Sequence, residues 1–280
     1  MNKYGEVLEN VDLSKYNSYG IKSSCDYLVY PTNVDNLIEL LKYLGKKDIR
    51  YKIFGSCSNV ILPSTHFSGV IIKLDKLDNF EVTDNFIISE AGILLSELIN
   101  ILISKNKGGF ELLGTIPGTL GGAIYGNAGV KDYSILDFID YVEVIRNNEL
   151  VKLDKTVVEY SYRSSIFKNT SDIIVRVKLR IEEKDANLMR EELRNLRMKR
   201  IESQPVEYKN AGSVFKNPNG YFAGELIEKC GMKGYNVRDA YVSEKHANFI
   251  VNKGSATSDD IIKLINIIKD KVKNEFYIDL

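Results

Sequence analysis

Four short segments of this 280-residue chain hold residue types that could do chemistry. The first is an apolar pair, Ile53-Phe54, running into Gly55-Ser56-Cys57-Ser58-Asn59. Small residues in such a turn let backbone N–H groups and hydroxyls come close to a phosphate, although an ordinary tight turn has the same composition. The second, Gly109 to Gly129, places seven glycines in 21 residues around a Pro117-Gly118 turn. Glycine loses more freedom on folding than any other residue, so a stretch this rich needs a reason. Positive φ angles or close contact with a large phosphate-bearing cofactor would supply one; a flexible loop is the alternative. It fits neither the P-loop pattern, since no Gly-Lys-Ser/Thr follows, nor the strand-embedded GxGxxG.

The third segment, Tyr160 to Phe167, sets Arg163 among hydroxyls and aromatic rings. A guanidinium there can clamp a carboxylate with two parallel hydrogen bonds, or can simply be a salt-bridged surface arginine. The fourth is Gly212-Ser213-Val214-Phe215-Lys216-Asn217-Pro218, with Asn210 just ahead of it. It supplies a proton donor, a cation and an amide within a few residues. A serine nucleophile would need an adjacent base, and neither His66 nor His246 is near in sequence. By chemistry alone a β-turn is the default reading of this strip.

These segments need a frame. From Tyr27 the pattern predicts a short strand, then a helix with Leu37, Leu40, Leu41 and Leu44 on its apolar face, Thr32 and Asp35 as its cap pair and Gly45 as its stop. Strands follow at Ile49 to Phe54, Gly69 to Leu74 and Phe86 to Ser89, then a helix from Leu94 to Ser104. Tyr141 to Arg146, Glu149 to Leu153 and Ile173 to Ile181 read as further strands. The alternation argues α/β or α+β, not all-β. The charged stretch from Glu182 to Glu202 carries Leu188, Met189, Leu193 and Leu196 at helical spacing. Its arginines are interleaved with glutamates, which marks a solvated helix connecting two domains better than an RNA-binding one. Beyond Gln204-Pro205 the chain predicts a helix from Ala223 to Cys230, a strand from Asn248 to Val251, and a final helix capped by Thr257 with Ile261, Leu264, Ile265, Ile268, Val272 and Phe276 on one face.

Composition removes several function classes. Lys plus Arg and Asp plus Glu each number 38, so the chain lacks the basic excess of a nucleic-acid binder. Three widely spaced cysteines, Cys25, Cys57 and Cys230, suit reduced thiols in the cytoplasm better than a disulfide framework, and two histidines do not make a zinc site of the usual spacing. No signal-peptide core or apolar run of membrane-spanning length is present, so the expectation is a cytoplasmic protein with no membrane insertion.

Taken in order, the segments resemble the UDP-N-acetylenolpyruvoylglucosamine reductase family from about Asn17 to Leu280. Asn17-Ser18-Tyr19-Gly20-Ile21 is similar to the family's opening motif and Gly55 to Asn59 to its Gly-x-Gly-Ser-Asn turn. Ile116-Pro117-Gly118-Thr119-Leu120-Gly121-Gly122-Ala123 with Asn127-Ala128-Gly129, and Tyr162-Arg163-x-Ser165, are similar to its central motifs. The most specific likenesses are Arg200-x-x-x-Gln204-Pro205, the strip at Gly212 to Pro218, Ala223-Gly224-x-Leu226-Ile227-Glu228 and Val242-Ser243-x-Lys245-His246-Ala247-Asn248-Phe249. The short interval from Arg163 to Arg200 resembles the shorter subfamily. Departures are Cys57 where the family usually has its second glycine, Lys22-Ser23 and Arg238-Asp239 where Gly-Gly is common, and Gly114-Thr115 before Ile116-Pro117.

The resemblance implies an α+β fold: a two-lobed FAD-binding domain of the vanillyl-alcohol-oxidase type over 1–200, with lobes of about 1–75 and 76–200, then a smaller α+β substrate-binding domain over 201–280. It implies FAD held by Gly55, Ser56, Cys57, Ser58, Asn59, Ile116, Pro117, Gly118, Thr119, Gly121, Gly122, Asn127 and Gly129. NADPH would be the co-substrate and a UDP-sugar the substrate, bound by Lys216 and Asn217. Arg163 would stabilise an enolate and Ser213 would deliver a proton, in a protein acting as a monomer without nucleic acid. The family's catalytic glutamate falls a few residues beyond the position of Leu280, and Asp279 is not matched to it. Two expectations stand: a working reductase of UDP-GlcNAc-enolpyruvate, or a catalytically silent relative that binds UDP-sugar or a cell-wall partner.

Overall fold

The computed structural model describes residues 1–130 and 133–280. Its first sheet has four strands in the order β1 (Gly5–Asp12), β2 (Ser24–Pro31), β4 (His66–Lys73), β3 (Tyr51–Phe54), and β3 runs parallel to β4 with Phe54 opposite Lys73. The helix α1 (Val34–Lys46) buries Leu37, Leu40, Leu41 and Leu44 in one cluster with Val29, Val70 and Ile72 of this sheet. Each such side chain contributes about 1.5–3 kcal/mol by leaving water. Two details differ from the sequence reading. The N-cap is Asn33, whose side chain accepts from Asn36 N–H at 2.8 Å, while the Thr32 hydroxyl accepts from the Asn36 amide. Gly45 lies inside α1, and Asp48 takes the left-handed conformation (φ 53°) that ends it.

The second sheet has five strands in the order Glu149–Asp154, Ile139–Arg146, Ile173–Arg180, β6 (Phe86–Glu90), β5 (Phe80–Val82), all antiparallel. Its buried face shares a core with α2 (Leu95–Ser104) and α3 (Leu120–Gly126). The third sheet is a small antiparallel one of Asn236–Val237, Ala240–Val242 and Ile250–Asn252. It packs in one cluster with α5 (Ala223–Lys229) and α6 (Ser258–Phe276) through Leu226, Ile227, Ala240, Val242, Leu264 and Ile268. As the sequence predicts, Thr257 caps α6, and it does so in a reciprocal box with Asp260. Mixed helices and largely antiparallel strands make the fold α+β.

By compactness the chain forms two units: Met1–Asn10, Asp26–Ser56 and Ser68–Arg197, and Val11–Cys25, Cys57–Phe67 and Met198–Leu280. The boundary at 197/198 falls inside α4 (Ala186–Ser203). The second unit also recruits two early segments, because Tyr19 and Ile21 are buried in the cluster of α6 and Ile61 packs against it. In α4 only Met189 and Leu193 are buried, and Leu188, expected on the apolar face, is exposed.

Candidate active site

In the first unit the two glycine-bearing turns meet. Gly55 follows β3, and a Cβ there would collide with Thr119 Oγ1, so only glycine permits this approach. Thr119 is buried and caps α3, its hydroxyl accepting from Gly122 N–H at 3.3 Å. The turn from Ile116 to Thr119 is pinned by backbone bonds to the start of α2, with Leu95 N–H donating to Gly118 O at 3.0 Å and Leu120 N–H to Ile93 O at 2.9 Å. Gly118 has φ 140°, a conformation most side chains resist. The sequence signal, glycine density, thus has a physical basis in close packing and positive φ.

Whether these residues suit a diphosphate depends on which N–H groups remain. At the start of α3, Leu120 and Gly121 N–H donate to Ile93 and Ala91 carbonyls and Gly122 N–H is taken by Thr119, so the helix start is spent internally. Among the described residues, the N–H groups of Ser56, Gly118 and Thr119 donate to no protein acceptor. Three such donors on the two turns fit a diphosphate-bearing group. Behind the first turn lies Lys73, at 5% exposure, whose Nζ donates to Gly55 O at 2.8 Å and pairs with Asp75 at 3.2 Å. Sequence reasoning missed it; the signal was a lysine ending the apolar run Val70-Ile71-Ile72.

Asn127 ends α3 in the left-handed conformation (φ 46°), and both ends of its side chain are engaged, with Ser161 O at 2.9 Å and Leu136 N–H at 3.3 Å. Arg163 also has positive φ (54°), and its guanidinium donates to Gly129 O at 2.7 Å and to Asn127 O at 3.4 Å. Two carbonyls therefore aim this side chain, and among the described residues no carboxylate pairs with it. Ser165 of the same motif donates to Tyr125 O at 2.7 Å, tying the short hairpin of Tyr160–Ser161 and Ser164–Ser165 to α3.

The loop from Gly55 to Asn59 passes from one unit to the other after Ser56. Cys57 is buried and left-handed (φ 50°), which accounts for glycine as the family's usual residue there: a Cβ in this region costs about 1–2 kcal/mol. Ser58 is half-buried and Asn59 exposed.

In the second unit Ser213 is exposed on a strip held by Asn248. Ser213 forms an antiparallel bridge with Phe249, and Val214 N–H donates to Asn248 O at 2.9 Å. The buried Asn248 amide then imitates a neighbouring strand, accepting from Phe215 N–H and donating to Phe215 O, both at 2.9 Å. Among the described residues the Ser213 hydroxyl takes no hydrogen bond. Lys216 and Asn217 are exposed, and Asn217 Oδ1 accepts from Ala223 N–H, the first of α5, at 3.0 Å. His246 Nδ1 accepts from Asn248 N–H at 3.2 Å, and burial pushes its pKa down.

Two family models match the chain: "FAD binding domain" over residues 25–153 and "UDP-N-acetylenolpyruvoylglucosamine reductase, C-terminal domain" over 204–280. The chain is 38% identical to the UDP-N-acetylenolpyruvoylglucosamine reductase of Caldanaerobacter subterraneus subsp. tengcongensis, over 99% of this chain and 92% of that one. It is 36% identical to the enzyme of that name from Clostridium tetani, over 98% and 90%. Its fold superposes on the crystal structure of UDP-N-acetylenolpyruvylglucosamine reductase (MurB) from Thermus caldophilus with a TM-score of 0.84 and 28% identity, covering 98% of this chain and 97% of that one. The chain belongs to the UDP-N-acetylenolpyruvoylglucosamine reductase family.

Proposed function

We propose that this protein is an FAD-dependent reductase that converts UDP-GlcNAc-enolpyruvate to UDP-N-acetylmuramate in peptidoglycan precursor synthesis, with NADPH as electron donor. The observation that carries the reading is the likeness at 38% identity over nearly the whole chain, which takes in both the glycine turns and the Ser213 strip. Ser56, Gly118 and Thr119 would hold the cofactor's diphosphate through N–H groups, supported by Gly55, Cys57, Ser58, Asn59, Ile116, Pro117, Gly121, Gly122, Asn127 and Gly129. FAD, when bound, supplies the two-electron chemistry that carries reducing equivalents from NADPH to the alkene.

Reduction at one alkene carbon builds negative charge on the carbon beside the substrate carboxylate. Arg163, aimed by the Gly129 and Asn127 carbonyls, stabilises that enolate with the donors those carbonyls do not use. Ser213 Oγ–H gives its proton to the same carbon, as general acid and not as nucleophile. Lys216 and the Asn217 NH₂ group bind the UDP-sugar. The protein works as a cytoplasmic monomer without a nucleic-acid partner; among the described residues no helix is long and apolar enough to cross a membrane.

The test is an NADPH-consumption assay on yellow, FAD-loaded protein. Consumption that depends on the enolpyruvyl sugar is expected. Flavin reduced by NADPH but indifferent to that sugar would instead mark a catalytically silent relative, and protein that cannot be loaded with FAD would end the reading.

A further inference from the structure

We infer that Lys73 is the positioning residue of the cofactor turn: its ammonium fixes the peptide between Gly55 and Ser56 so that the Ser56 N–H faces the flavin cofactor's diphosphate. The inference rests on the FAD reading above.

Lys73 ends a strand whose preceding residues, Val70 to Ile72, are all buried. A lysine in that setting needs partners, because an unpaired buried charge is strongly unfavourable. It has two, the Gly55 carbonyl at 2.8 Å and the Asp75 carboxylate at 3.2 Å. A trans peptide is planar, with its C=O and N–H pointing in opposite directions. An ammonium gripping Gly55 O therefore turns the Ser56 N–H to the far side of the same plane. That N–H donates to no protein group among the described residues. The contact also polarises the peptide, since a hydrogen bond to a charged donor is roughly twice as strong as a neutral one. Thr119, against Gly55, fixes the same residue from the neighbouring turn.

Lys73 thus acts at one remove. It does not touch the diphosphate in this arrangement, and its charged partner is Asp75. Replacing Lys73 by an apolar residue removes the charged contact on the Gly55 carbonyl and leaves the Asp75 carboxylate without its lysine. Both effects weaken a ligand that carries a diphosphate and spare one that does not.

The experiment is fluorescence titration of apoprotein with FAD and, separately, with riboflavin, for the unmodified chain and for Lys73→Arg, Lys73→Gln and Lys73→Met, with a thermal melt of each apoprotein. Lys73→Met should weaken FAD by about tenfold to a hundredfold, the range for losing one charged hydrogen bond. Lys73→Gln should fall in between, Lys73→Arg should stay within about threefold, and riboflavin should change little in any variant. Lys73→Met binding FAD as well as the unmodified chain would overturn the inference. So would FAD and riboflavin affinity falling together, because that marks a purely structural lysine. Should Lys73→Met not fold, Lys73→Gln and Lys73→Arg decide by the same criteria. Failure of the unmodified chain to bind FAD is a separate result, and it would sink the FAD reading along with this inference.

Discussion

The Gly55 turn and the Ser213 strip solve one problem with different side chains. Each is a short irregular segment whose backbone must hold still while one group faces outward. At Gly55 the anchor is the buried ammonium of Lys73 on a carbonyl; at Ser213 it is the neutral amide of Asn248, bonded both ways to Phe215. A charged anchor adds a field to the position it sets, which suits a segment meant for an anion. A neutral amide only positions, so the chemistry of the strip rests on the serine hydroxyl itself.

The largest effect that could break this comparison is at Ser213. Ser213→Ala removes the donor and leaves the Asn248 scaffold intact, so turnover should fall by about 10²–10⁴-fold, the usual weight of general acid catalysis, while NADPH still reduces the flavin. Turnover within a few-fold of the unmodified protein would take Ser213 out of the mechanism.

Asn248→Leu tests the scaffold. It strands the Phe215 N–H and C=O in a partly buried setting, each worth about 1–3 kcal/mol, for a loss of roughly 2–4 kcal/mol in the unfolding free energy from urea denaturation after water regains part of them. A loss under about 0.5 kcal/mol would mean that the strip holds itself.

Backbone strain comes next. Arg238 is exposed with φ 49°, at a position where the family commonly has glycine. Arg238→Gly should raise stability by about 0.5–1 kcal/mol, the left-handed penalty of 1–2 less the added freedom of the unfolded glycine. A lower melting temperature would contradict this.

A smaller effect is the pH response of His246, which supports the Asn248 turn. Burial lowers its pKa, the Lys233 ammonium adds to that and the Glu228 carboxylate opposes it. The folded protein therefore binds a proton less readily than the unfolded chain. Stability should be full above the ordinary histidine range, fall as pH drops below about 6.5, and level off once the folded pKa is passed. His246→Gln should flatten that segment of a stability-pH curve; an unchanged slope would assign it to other groups.

Much of this frame was legible in the sequence for stated physical reasons. The final helix announced itself by Thr257 and Asp260 at capping distance and by Ile261, Leu264, Ile268 and Val272 on one face, all four buried. The glycines at 55 and 118 signalled positive φ or close approach to a ligand; the structure gives Gly118 a positive φ and sets Gly55 against Thr119. Less legible were features set by tertiary contact. Strand β1 alternates poorly, with no fully buried residue, and reads as a charged N-terminus. Nothing local in Tyr19 or Ile61 marks them as belonging with α6. Asn33 displaced Thr32 as the cap of α1 because its side chain reaches the Asn36 N–H. Asn248 stood in a recognised motif, but its role depends on Phe215, 33 residues away, and no spacing rule links the two.

The most direct measurement of the central claim is a single-turnover experiment on FAD-loaded protein: NADPH is added until the visible flavin band bleaches, then the enolpyruvyl sugar is mixed in without oxygen. The band should return with formation of one UDP-N-acetylmuramate per flavin. A band that stays bleached, or returns without that product, would contradict the assignment.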